Sequence, residues 1–95
     1  MEEVKVFWSN EEQRSLAVVD NKNIGECEIQ ESGDTWVITH TGVREEYGGR
    51  GIAKQLVLAV IDAARKNNKK ILPLCSYAKH MMEGKEEYED ILIKQ

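Results

Sequence analysis

Hydrophobic and polar positions change their rhythm along this chain, and each change predicts an element. Arg14 to Asp20 (RSLAVVD) reads as a short apolar strand, and Asp20-Asn21-Lys22-Asn23 as the polar turn after it. Ile24 to Glu31 alternates, with Gly25, Cys27 and Ile29 on one face and Glu26, Glu28 and Gln30 on the other, which predicts a half-buried strand. Ser32-Gly33-Asp34 predicts the next turn. Thr35 to Val43 (TWVITHTGV) is rich in β-branched and aromatic residues and predicts a third strand. Simple alternation puts Trp36, Ile38 and His40 on one face of it and Thr35, Val37, Thr39 and Thr41 on the other. Sizeable residues on both faces place it inside a sheet, and Gly42 marks a bulge or a close backbone approach.

The period then becomes helical. Ile52, Ala53, Leu56, Val57, Val60, Ala63 and Ala64 form a wide apolar stripe over Ile52–Lys66, which predicts a helix packed on the sheet. Asn67-Asn68 ends it. Lys70 to Cys75 (KILPLC) is nearly all apolar, as in a buried strand. Ser76 is positioned to cap a short helix over Tyr77–Met82, Gly84 breaks it, and Glu86 to Ile93 reads as a last amphipathic helical turn or two.

Composition narrows the function classes. The chain has 95 residues, which we read as a single domain spanning 1–95. Thirteen Lys and Arg against seventeen Asp and Glu give a net charge of -4, so general nucleic-acid binding, which needs a basic face, is not expected. No run approaches the ~18 apolar residues of a membrane helix, and Met1 to Asn10 lacks the basic-then-apolar pattern of a leader. The two cysteines, Cys27 and Cys75, are too few for a disulfide framework, which makes a reducing cytoplasm the expected compartment. With His40 and His80 they show no paired ligand spacing, so no metal site is expected.

The glycine-dense segment Tyr47-Gly48-Gly49-Arg50-Gly51 is the chemical centre of the sequence. No Ser, Thr, Asp or Asn precedes Ile52 directly, so the first amide groups of the helix have no side-chain cap. Glycines clear the approach to those amides, the helix dipole makes the spot positive, and Arg50 and Lys54 add full charges. Together these predict an anion site suited to phosphates; the alternative is a tight turn that binds nothing. A P-loop is excluded because Ile52 and Ala53 follow Gly51 where Lys and Ser or Thr are needed. A dinucleotide fold fits poorly, because Lys54 stands where its third glycine belongs.

Val43 to Leu56 (VREEYGGRGIAKQL) resembles the acyl-CoA signature of the GNAT superfamily of N-acetyltransferases, Q/R-x-x-G-x-G/A, at a strand-to-helix junction. Gly51 and Ala53 match its last two small positions, while Gly48 stands where the family prefers Gln or Arg. The segments His40-Thr41-Gly42-Val43 and Pro73 to Lys79 (PLCSYAK) agree in order and spacing with the minimal, roughly hundred-residue branch of that superfamily. The resemblance implies an α/β (α+β) fold: a compact, mainly antiparallel sheet with one splayed parallel strand pair, a main helix after the glycine loop and short C-terminal helices. It implies acetyl-CoA as acetyl donor, its pantetheine arm on the backbone around Val43 and its pyrophosphate on Gly48, Gly49, Arg50, Gly51, Ile52, Ala53 and Lys54. Lys79 is a further candidate for the nucleotide phosphates. The implied reaction is acetyl transfer to an amine, which is an acyltransferase activity; a module that holds acetyl-CoA without turnover is the alternative.

Amine acetylation needs a neutral nucleophile, and a lysine of pKa ~10.4 is almost wholly charged at neutral pH. A base is therefore useful, and His40 is the best on offer; otherwise it is a buried strand histidine. Cys75 lies where the resemblance places the thioester, which suggests a cysteine-bound acetyl group; otherwise it is a small buried hydrophobe. Tyr77 resembles the helix tyrosine that protonates the CoA thiolate in many enzymes of the superfamily; otherwise it is a packing residue. The acceptor, small molecule or protein, stays open.

Overall fold

The alternating stretches become a meander of antiparallel strands: β1 (Lys5–Ser9), β2 (Arg14–Val19), β3 (Lys22–Ser32) and β4 (Thr35–Val43). Helix α1 (Ile52–Lys66) then crosses over the sheet and returns the chain as β5 (Lys70–Pro73), parallel to β4, before a short α2 (Ser76–Met82). The sheet order is β1-β2-β3-β4-β5. This computed structural model describes residues 3–93, so the first two residues of the stretch read as lacking a leader pattern lie outside the described residues. The mixed architecture that the resemblance implies, antiparallel with one parallel pair, is the one observed.

The strand β1 is absent from the sequence reading. Its alternation is blurred by Phe7, which is 46% exposed between the inward-facing Val6 and Trp8. It forms because β2 offers it a full antiparallel ladder, and because Trp8 stacks on Trp36 with ring centroids 4.7 Å apart. The turn after β2 is also tighter than expected. Asp20 and Asn21 both take positive φ (49° and 66°), the two-residue hairpin geometry that matches strand twist, so β3 starts at Lys22.

Three boundaries near the C-terminus are corrected by backbone pairing. β5 stops at Pro73, not Cys75, because the amide groups of Leu74 and Cys75 both turn to the Ile38 carbonyl (3.0 Å each). Cys75 rather than Ser76 occupies the N-cap of α2, so Ser76 is its first residue. Glu86 to Ile93 is not helical throughout. A single 3-10 turn, Glu86–Tyr88, precedes a segment that lies beside β5, with Ile71 donating to the Ile91 carbonyl and Ile93 donating to the Ile71 carbonyl. Those bonds satisfy the outer edge of β5, which an exposed helix would leave bare. Arg65 at the end of α1 holds this segment through Asp90 Oδ1 (2.9 Å) and the Glu87 carbonyl (2.8 Å).

The core lies between α1 and one face of the sheet. α1 buries Ile52, Leu56, Val57, Val60, Ile61, Ala63 and Ala64, closely the stripe expected from the sequence. One polar bond crosses this core: Ser15, fully buried on β2, donates to the Leu56 carbonyl at 2.8 Å. Ser15, Cys27 and Thr41 sit side by side on successive strands, so all three face α1.

A bulge in β4 sets the facing of its C-terminal half. Ile29 pairs with Ile38 but Glu28 pairs with His40, so Thr39 is an extra residue with no partner of its own. Past it the alternation reverses. His40 no longer shares a face with Trp36 and Ile38; it projects from the open face, and Thr41 takes the inner one. Replacing Ser15 by Ala should lower the unfolding free energy by about 1 kcal/mol, the usual net worth of a bond like the one that joins it to Leu56. A urea titration checks this, and an unchanged midpoint would show that the bond adds nothing.

Candidate functional site

β4 and β5 pair only from Thr35 to Ile38 and from Lys70 to Pro73. Beyond Ile38 they part, since its carbonyl holds both Leu74 and Cys75 and the chain then turns into α2. The rest of β4 is paired with β3 alone. Arg44 donates to the Ile24 carbonyl on the β3 side at 2.8 Å, so by alternation the N–H and C=O groups of Thr41 and Val43 point the other way, into the gap. The backbone groups of Val43, and of Thr41 apart from the N–H that faces the Cys75 sulfur, thus line one wall of an opening between two parallel strands.

The gap leads to the glycine loop. After Val43 the chain makes a 3-10 turn, Glu45–Tyr47, and passes Gly48 and Gly49 into α1. Gly51 is the N-cap in left-handed geometry (φ 75°, ψ 14°), and no side chain caps the helix. The first intrahelical bond runs from Gln55 N–H to the Gly51 carbonyl, so the amide groups from Gly51 to Lys54 have no partner within the helix. A Cβ built on Gly49 or Gly51 would meet no atom within 4 Å, so the loop leaves open space at those two positions. No acidic residue sits in the first turn. Lys54 is exposed there, and the Arg50 guanidinium lies 5.1 Å over the Tyr47 ring. Seven expected anion-site residues, Gly48 to Lys54, are thus brought together around one helix start.

On the other wall stands Cys75. Its thiol donates to Thr41 Oγ1 at 3.6 Å, and the Thr41 hydroxyl donates to Cys27 Sγ at 3.4 Å. The two cysteines differ in acidity because their surroundings differ. Burial pushes the Cys27 thiol up to about 11, with Thr41 opposing only in part. Partial burial also pushes the Cys75 thiol up. The Ala78 N–H, the Thr41 hydroxyl and the N–H groups of Tyr77 and Thr41 outweigh it and bring Cys75 below the ordinary thiol range. Those of Ala78 and Tyr77 act without closing a side-chain capping bond on the helix. Sequence reasoning misses Thr41 as a member of this site. Alternation sets it opposite Ile38, and nothing in the residue string announces a bulge at Thr39.

His40 does not join Cys75. It stands exposed on the sheet face away from α1, in a shallow groove of ≈ 320 Å³ with Glu26, Gly42 and Arg44. The buried strand histidine considered as its alternative is therefore not what is observed. Gly42 is neither the bulge, which falls at Thr39, nor a close backbone approach: a Cβ there would lie 2.8 Å from His40 Nε2, so glycine makes room for the imidazole to lie along the strand. Glu26 and Glu28 on the same face are both tied to Arg14, at 3.4 and 2.9 Å. Tyr77 is 41% exposed in the first turn of α2, and Lys79 and His80 are exposed on the same helix. Among the described residues, no three His, Cys, Asp or Glu side chains group as metal ligands, and no helix is long and apolar enough to cross a membrane.

Residues 14–91 match the sequence profile of the family described as GCN5-related N-acetyl-transferase. Among solved structures, the chain is similar to a GCN5-like protein from Staphylococcus aureus, with 35% identity and a TM-score of 0.72 over 98% of this chain and 89% of that one. It also resembles a GCN5-related N-acetyltransferase from Sphaerobacter thermophilus, with 28% identity and a TM-score of 0.62 over 67% of this chain and 21% of that one. The N-acetylglutamate synthase of Neisseria gonorrhoeae, solved with coenzyme A and N-acetyl-glutamate, shares the fold at 17% identity, with a TM-score of 0.63 over 80% of this chain and 20% of that one. Comparison with curated protein sequences finds no match. A glycine loop feeding an uncapped helix beside a parted parallel strand pair, together with a profile match over most of the chain, places this protein in the GCN5-related N-acetyltransferase family.

Proposed function

We propose that this protein moves an acetyl group from acetyl-CoA to an amine acceptor, with Cys75 as the relay. The observation that carries the reading is the gap itself: an unpaired stretch of β4 that runs from Cys75 to the bare amides of α1. Its two ends suit the two ends of a CoA thioester. The amides from Gly48 to Ala53, with Arg50 and Lys54 as cations, suit the phosphates. The backbone groups of Val43 and the Thr41 carbonyl suit the amides of a pantetheine arm, which would pair with them as an added strand does.

Within this reading each candidate has a role set by its place. Cys75 is held more acidic than an ordinary thiol, so it has a larger thiolate fraction at neutral pH. Its sulfur would attack the thioester carbonyl, forming a new thioester on the protein and releasing CoA as thiolate. Tyr77 stands next to that end of the gap as donor of the proton CoA takes up. His40 lies on the opposite face, open to solvent; as base it would take the ammonium proton of an acceptor approaching from that side, and the free amine would then enter the gap and attack the acetyl carbon, with the Cys75 sulfur leaving and taking the proton that the amide nitrogen sheds. The groove around His40 is shallow and open to solvent, which is the observation favouring a holder of acetyl-CoA without efficient turnover. Titration with acetyl-CoA and CoA, followed by mass spectrometry of the protein and of candidate amines, decides between the two.

Three outcomes are expected. Gly51→Asp places a carboxylate in the open space at that position and strains a left-handed residue, so calorimetry should show acetyl-CoA affinity reduced roughly 100-fold or more; an unaltered affinity rejects the site. His40→Gln should lower kcat roughly 100-fold near pH 7 while acetyl-CoA affinity holds; full activity in that variant removes His40 as the base. Incubation with acetyl-CoA should leave one acetyl group on Cys75 by intact mass. The relay is disproved by a Cys75→Ala variant that turns over normally while the parent shows no adduct.

A further inference from the structure

Thr41 stands between the molecule's two cysteines, and it is there only because of the extra residue at Thr39. Without the bulge, position 40 would face α1 and position 41 would face solvent. As built, the Thr41 hydroxyl donates to Cys27 Sγ at 3.4 Å and accepts from the Cys75 thiol at 3.6 Å. We propose that Thr41 is the positioning residue that governs ionisation of Cys75, by turning its one hydroxyl proton from Cys27 to Cys75 when Cys75 loses its own.

A threonine hydroxyl has one proton and two lone pairs, so it serves one sulfur as donor at a time. With Cys75 protonated, the chain runs from the Cys75 S–H to the Thr41 oxygen and from the Thr41 O–H to Cys27. When the Cys75 proton departs to solvent, its sulfur needs a donor. Rotation about the Thr41 C–O bond supplies one, and a bond to a charged acceptor is the stronger kind. Cys27 keeps its proton, because burial holds it at about 11, and its S–H can then donate to the oxygen that Cys75 vacated. Two hydrogen bonds exist in either state, their direction reversed, and the Cys75 S–H is the one covalent bond broken. Cys27, fully buried and far from the glycine loop in sequence, thereby gains a purpose beyond filling the core.

Among the described residues the Thr41 hydroxyl is the side-chain group hydrogen-bonded to the Cys75 sulfur, while the backbone N–H groups of Ala78, Tyr77 and Thr41 act on it whatever side chain stands at 41. Cys27 is the titratable group facing Cys75 from β3. Glu28 of β3 and His40 of β4 project from the opposite face of the sheet. In β5, Lys70 lies at the far end, where it donates to the Asp90 carbonyl. The charged and titratable groups of α2, Tyr77, Lys79 and His80, are exposed and make no ion pair or side-chain hydrogen bond with the sulfur among the described residues.

The role of Cys75 in acyl transfer rests on the proposed function, but the test of Thr41 does not. The rate of Cys75 alkylation by iodoacetamide is followed against pH in the full-length protein, with the labelled residue located by peptide mapping. Thr41→Val keeps the β-branched shape and removes the hydroxyl. It should move the midpoint up by about one pH unit, which is about tenfold less thiolate at neutral pH. Thr41→Ser should restore the parent profile. Thr35→Val, at the far end of the same strand and outside the bulge, should leave the profile in place. If valine at 41 fails to fold by circular dichroism, Thr41→Ala carries the same test. A parent-like profile in the variant that lacks the Thr41 hydroxyl, or an equal shift in Thr35→Val, overturns the proposal. A shifted profile in a protein that never acquires an acetyl group would keep Thr41 in this role and reject the relay reaction instead.

Discussion

One carbonyl governs the site. Ile38 is the last β4 residue paired with β5, and its oxygen takes the amide protons of both Leu74 and Cys75. Pro73, opposite Ile38, has no N–H to extend the ladder, and the double acceptance spends the next two donors on one oxygen. β5 therefore cannot follow β4 further, and the backbone of Val43 and the Thr41 carbonyl stay open. The gap, the position of Cys75 at its edge and the turn into α2 all arise from this local exhaustion of donors.

The bulge at Thr39 is the second device, and it sorts chemistry by face. On the α1 side it brings Thr41 into line with Ser15 and Cys27, in a setting closed by α1. On the other side it exposes His40 over Gly42, on the face that carries the Arg14–Glu26–Glu28 cluster. A hydroxyl that tends a sheltered thiol and an imidazole open to solvent are thus drawn from adjacent residues of one strand. Bulges near functional sites commonly re-aim side chains this way. Here the effect is a clean exchange of inside and outside.

Much is legible in the residue string. β3, β4 and α1 announce themselves by period, because burial of one face against a single partner imposes a strict repeat. The bare helix start is also readable. An uncapped helix start flanked by glycines and cations depends on residues within about ten positions of one another, so its physics is local. Other features are not legible. β1 forms because β2 needs an edge partner, not because KVFWS alternates cleanly. Glu86 to Ile93 has the amphipathic look of a helix, yet Ile91 and Ile93 serve the β5 edge instead. Simple alternation puts His40 on the core face, because a one-residue bulge leaves no mark on composition.

The sequence by itself determined β2 to β5 as strands and α1 and α2 as helices, and it placed bare amides at the start of α1, because period and capping are local properties of the chain. Only the tertiary structure decided where β4 and β5 part, which face receives His40 and that Thr41 bridges Cys27 to Cys75. Those depend on register and on which distant donor reaches which carbonyl, and no string of residues states a register.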